Sequence, residues 1–191
     1  MRPMIVYFAE RQRWARLAPW LGALTTVLLF WQCRPDTALF WALVNLPLYL
    51  FHQTEEHYWP GGFKDYMNRT TFGLPAGTER LTDVKVFWIN IGLVWIAFPI
   101  LGALAFIDIG FGLVIIVFSL MNCASHIVQG MKTRTWNPGL VLATLQFILS
   151  LWAARFVTVH SLTHPPWWWT GAIAYSVLAH LAVFRIIKAG S

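Results

Sequence analysis

The chain has 191 residues, of which 58% are hydrophobic and 12% charged, with a formal net charge of +6. A soluble domain of this length carries about 25% charged and about 45–50% apolar residues. With a mean hydropathy of +0.57, the composition therefore excludes a soluble globular domain, a disordered chain and a disulfide-held secreted scaffold. At about 20 residues per span plus connections, about six transmembrane helices fill the chain. The 12 Trp and 14 Phe suit aromatic anchoring at the two membrane interfaces. Cys33 and Cys123 each lie at or inside an apolar run, so no disulfide framework is expected.

The first apolar run begins at Leu17, behind Arg2, Arg11, Arg13 and Arg16. No small-residue cleavage site follows it, so a retained helix over 17–33 is expected rather than a removed signal peptide. A second span, 36–54, starts at Asp36 after Pro35. The only long connection is 57–82, with Pro60, Gly61, Gly62, Pro75 and Gly77. It reads as an interfacial loop with a short amphipathic piece. Thr82 and Asp83 can cap a third span, 84–106. A tight turn around Asp108 and Gly110 leads to a fourth, 109–129. Asn137-Pro138 opens a fifth, 139–159, and Pro165-Pro166 a sixth, 167–187. The expected fold is an all-α integral membrane protein, one bundle and one domain over 1–191.

Arginine and lysine set the orientation. The N-terminus, the 57–82 connection with its exit at Lys85, the turn with Lys132 and Arg134, and the C-terminus with Arg185 and Lys188 together carry twelve of fourteen cations. Only Arg34 and Arg155 fall on the other side, Arg155 within reach of the interface by snorkelling. The split predicts cytoplasmic N- and C-termini, with a bacterial inner membrane as the expected setting. It also reads the net charge as topology, not as nucleic-acid binding.

Polar groups inside a bilayer are costly and mark functional sites by default. Asn90 lies five residues past Lys85, His126 six before Lys132, and His180 five before Arg185. Each is thus about 7–9 Å inward from a cation. His52 is about as deep in its own span, so four helices contribute polar groups to one layer. His52 with Glu55 and Glu56 shares a helical face at spacings of three and four, as do Asn122 and His126, while His57 falls off that face. Asn45 lies on the His52 face as well. Two imidazoles facing carboxylates can hold a divalent metal. Structural readings compete at each position: His180 as a hydrogen-bonded interhelical contact, Glu55, Glu56 and His57 as interface caps, and Asn45, Asn90 and Asn122 as interhelical glue. His160 and His164 read as solvated, and Trp167-Trp168-Trp169 as an interfacial belt.

His52-Gln53-Thr54-Glu55-Glu56, with Pro60-Gly61-Gly62-Phe63 after it, resembles the motif of the HXXEE family of small integral membrane proteins. Asn122-Cys123-Ala124-Ser125-His126, the stretch Arg134-Thr135-Trp136-Asn137-Pro138-Gly139-Leu140 and the early Asn90 extend the likeness across most of 45–145. The resemblance transfers His52, Glu55, Glu56, Asn122 and His126 as site positions. It carries no established activity.

Three chemistries fit the residues. In the first, His52, His126 and one of Glu55 or Glu56 bind zinc, iron or manganese, with His180 as an extra ligand. The second glutamate is then the general base, and Asn90 and Asn122 orient ligands or bind an oxyanion. The substrate would be a lipid-like or amphiphilic ester or amide. The second is a metal-free acid–base isomerase of a sterol- or isoprenoid-like molecule. The third is a proton- or metal-coupled transporter or a lipid-binding protein. Membrane lipids are expected neighbours, and a homodimer is compatible with each.

Overall fold

The computed structural model describes residues 4–189; Arg2, one of the cations counted for topology, lies outside them. All regular structure among the described residues is helical. Four helices are long and apolar enough to cross a membrane: Asp83–Leu104, Gly110–Thr133, Leu140–His160 and Pro165–Lys188.

The first two apolar runs fold into shorter pieces than the expected spans. After a short α1 (Met4–Ala9) and a 3-10 segment (Glu10–Leu17), α2 covers Ala18–Gln32, 15 residues. At 1.5 Å per residue it is about 22 Å long, short of an apolar bilayer core of about 30 Å. The second run divides into α3 (Ala38–Leu43) and α4 (Asn45–Gln53). Pro47 has no N–H for the Leu43 carbonyl, and the Leu48 N–H reaches the Val44 carbonyl at a long 3.4 Å. Beyond α4 the chain widens into a π-helical turn, Thr54–Tyr58. The third run behaves similarly: α6 (Asp83–Asn90) passes through a π-helical segment (Ile91–Ile96) into α7 (Ala97–Leu104). That segment precedes Pro99, which cannot donate to the Trp95 carbonyl.

Between these runs, the 57–82 connection contains α5 (Phe63–Tyr66) and a π-turn (Met67–Thr71). Buried Asn68 folds it back on itself, accepting from the Arg80 and Leu81 N–H groups and donating to the Leu81 carbonyl. The remaining helices are α8 (Gly110–Thr133), α9 (Leu140–His160) and α10 (Pro165–Lys188). They pack closely through small residues: a Cβ on Gly112 would collide with Ala42, and one on Gly110 with the Trp168 ring. Of the aromatic run, Trp167 faces outward while Trp169 donates to Thr158 Oγ1. Cys33 and Cys123 are free and buried.

Trp20, Trp31, Trp167 and Leu178 leave large apolar surfaces facing outward, the kind of exterior that lipid tolerates and water does not. Inside, three apolar clusters alternate with polar ones. Leu29, Phe40, Leu113, Val117 and Val157 belong to the largest. Tyr49, Val94, Phe98, Ile115 and Phe118 form a second, and Trp14, Leu81, Val86 and Ile187 a third. The candidate site lies between the last two.

Candidate metal centre

His52 and Glu56 are placed by the end of α4 and its π-turn, His126 by α8. The three are buried, and one ligand atom from each lies within 4.8 Å of the others. His52 Nε2 is 3.5 Å from Glu56 Oε2, and His126 Nε2 is 3.7 Å from Glu56 Oε1. Ligands at about 2.0–2.1 Å from a tetrahedral ion stand roughly 3.3 Å apart, so the two imidazole–carboxylate gaps are near that spacing, while the group as a whole, spread over up to 4.8 Å, would contract around an ion.

The tautomer of His126 follows from its neighbour. Asn137 Nδ2 donates to the His126 carbonyl at 3.0 Å, which turns Asn137 Oδ1 toward the ring, 3.0 Å from Nδ1. An amide oxygen only accepts, so Nδ1 carries the proton and Nε2 keeps its lone pair on the Glu56 side. Asn122 Nδ2 stands 3.4 Å from His52 Nε2. His52 Nδ1 is buried without a hydrogen-bond partner.

The two glutamates, expected to serve as ligand and base, go to different places. Glu55 turns away from the imidazoles and accepts from the N–H groups of Val141 (3.1 Å) and Leu142 (2.6 Å). Both of its oxygens are thus spent on the first turn of α9, a helix cap supplied from another helix, with its charge at the positive end of the helix dipole. This cap holds the start of α9 against the cluster. Gly139, the residue before α9, has φ +92°, and a Cβ there would approach His52 Cε1 and His126 Cε1 at 3.1 and 3.2 Å. Glycine is required on both counts.

The π-turn also brings in His57. A π-helix bonds i to i+5, so the residue five after His52 comes round to the face that an α-helix would give to i+3 or i+4. His57 Nε2 lies 3.3 Å from Glu56 Oε2, and neither His57 ring nitrogen makes a hydrogen bond. Its ring sits between Trp14 and Phe63, at centroid distances of 5.2 and 5.4 Å. Three imidazoles therefore crowd one carboxylate.

Asn90 and His180 stand apart from the cluster but line the same cavity of about 260 Å³, together with Glu56, Asn122, His126 and Asn137. Asn90 Oδ1 accepts from Gln53 Nε2 at 2.8 Å, and Gln53 Oε1 accepts from the Trp95 indole at 2.8 Å. His180 Nδ1 lies 2.7 Å from the Ser176 carbonyl and must be its protonated nitrogen; Nε2 is buried without a partner.

A roof covers this end. Left-handed backbone at Arg11 and Gln12 turns the N-terminal segment inward and lets Trp14, 2% exposed, pack by His57. Asp83 accepts from the Arg11 N–H and the Gln12 side chain, and pairs with Lys64 at 3.2 Å. Burial alone would lower the Lys64 pKa. The hydrogen bond from its ammonium to Glu79 and the charge of Asp83 outweigh that and raise it.

In the sequence Asn137 reads as a helix start within the family-like stretch 134–140, Gln53 as a member of the motif without a role of its own, and Trp14 as neither. Their signals were present: Asn137 is eleven residues from His126 across a tight turn, and Gln53 lies inside the motif.

A helical protein with long apolar helices and a buried His/Glu cluster beside a cavity is the class that fold and site define. The family model described as a protein of unknown function with HXXEE motif matches residues 43–153. The chain belongs to that family. No curated protein matches the chain, and no solved structure does.

Proposed function

We propose that the protein is an integral membrane, metal-dependent hydrolase of a lipid-like or amphiphilic substrate. The carrying observation is the convergence of one ligand atom each from His52, His126 and Glu56 within 4.8 Å, with Glu56 and His126 on the wall of a mostly apolar cavity. Two imidazoles and one carboxylate fit a catalytic zinc site that leaves a position open, and iron or manganese suit the same donors. The lone-pair state of His126 Nε2, set by Asn137, supports this assignment. The proposal includes six spans, with α2 and α3–α4 completing the bundle, both termini cytoplasmic, and a bacterial inner membrane.

A bound ion would supply Lewis-acid activation of water and of a carbonyl or phosphoryl group. The chain's own residues do the rest. Asn137 orients the His126 imidazole through its far nitrogen, and Asn122 stands beside His52 Nε2, where its amide would give way to a bound ion. Glu55, fixed to α9, is not free to act as base. His180 Nε2, unprotonated while Nδ1 donates to Ser176, is the group on the cavity wall able to take up a proton. Apolar walls exclude bulk water and hold the substrate chain.

Elemental analysis of protein purified without chelators or a polyhistidine tag tests the reading, with wild type beside His52→Ala. About one zinc, iron or manganese per chain, lost in the variant, is the expected result. Absence of metal from folded wild type removes the reading and redirects assays to metal-free isomerisation and proton-coupled transport.

A further inference from the structure

The cavity beside the cluster has a closed end and an open end. Its volume of about 260 Å³ falls just below the roughly 300–1,000 Å³ usual for small-molecule sites. Three helices close one end alike. Phe118 lies four residues from Asn122 on α8, Val94 four from Asn90, and Tyr49 three from His52; each is 4% exposed. Tyr49 and Phe118 pack at a centroid distance of 6.1 Å, with Phe98 behind them at 5.0 and 5.5 Å. At the other end the lining includes exposed Thr71, Ser125 and Phe184. The polar ring thus lies about one helical turn, roughly 5–6 Å, from the closed wall.

We propose that the substrate is a single-chain amphiphile whose polar, reacting group sits at Glu56 and His126. Its buried apolar end is a handful of carbon atoms long, with Tyr49, Val94 and Phe118 setting that limit. The larger moiety leaves by the Thr71–Ser125–Phe184 mouth. This inference rests on the metal-centre reading for the position of the polar group. A glycerolipid with two long chains at the buried side does not fit the volume or the wall. Phe118 and Val94 then act as specificity-determining residues.

The test uses full-length protein in lipid nanodiscs and a series of straight-chain hydroxamic acids, from acetyl to dodecanoyl, as metal-seeking probes. Dissociation constants are measured beside metal content. In wild type, affinity should rise about fourfold per methylene, as apolar burial dictates, then fall sharply past a short limit. Phe118→Ala should move that limit to longer chains and Val94→Phe to shorter ones, with metal content unchanged in both. Metal bound with no length limit, or a limit that neither variant moves, overturns the chain-length inference alone. Folded wild type without metal removes the inference together with the reading it rests on. Because the two variants shift the limit in opposite directions, a fold lost in one still leaves the other as the test.

Discussion

Two buried polar groups, one neutral and one ionisable, behave differently. Between α4 and α9, Asn45 Oδ1 accepts from Gln146 Nε2 at 2.9 Å and from Ser150 Oγ at 2.8 Å. These side chains are neutral and fully packed, and they line neither cavity described for the bundle. About two to three turns beyond Asn45, His52, Glu56 and His57 meet His126 of α8 and place three imidazole nitrogens around one carboxylate, with several ring nitrogens unpartnered and a cavity alongside. The first arrangement ties helices together with neutral groups, and it leaves Asn45 Nδ2 and Gln146 Oε1 buried without partners. The second is left short of partners, which is costly in a low-dielectric interior unless something else binds there. Ionisable side chains beside open space, rather than unmet hydrogen-bonding capacity alone, separate a site from glue.

That contrast can be broken most decisively at the cluster. His126→Ala and Glu56→Gln should each take metal content from about one ion per chain to none, while helical content measured by circular dichroism stays at the wild-type level. Retention of metal in both would place the ion elsewhere. Asn137→Ala should weaken metal affinity about 10–100-fold, because it releases the His126 ring without removing a ligand; competition with a chelator reads this directly. Glu55→Gln should leave the metal bound but lower thermal stability by about 1 kcal/mol through the weakened α9 cap. Loss of metal comparable to Glu56→Gln would undo the division between the two glutamates. Asn45→Leu should move metal affinity least, leaving it unchanged in the same chelator assay, while orphaning the buried Gln146 and Ser150 donors should lower stability by about 1–3 kcal/mol.

How much of this was legible before the fold depends on which helix is considered. On α8, a regular helix, Asn122 and His126 four apart do end on the same cavity. The depth of Asn90 and His180, judged from flanking cations, likewise brought them to that cavity. At the end of α4 the 3.6-residue period fails. The π-turn over Thr54–Tyr58 rotates His57 inward, and Glu55 is drawn off by amides of α9, 86 and 87 residues later in the chain. No local pattern encodes a cap supplied across that distance. Pro47 and Pro99 sit inside apolar runs and each removes a backbone donor, but hydropathy alone reads 36–54 and 84–106 as continuous spans, and the break at Val44 and the π-helical widening at Ile91–Ile96 are not expected from it. The pairing of Asn137 with His126 required knowing how tightly α8 turns back into α9.

Asp83 fastens the roof from three directions, to Arg11, Gln12 and Lys64, and Lys85 reaches the carbonyls of Ile187 and Ala189 at the end of α10. During synthesis the chain emerges N-terminus first, so Trp14 waits for residues near 83 before its clasp can form. The α10 wall of the cavity then waits for residues 187–189. The pocket closes only once α10 has been made, and a nascent chain truncated before α10 would carry its buried histidines in a compartment with one side missing.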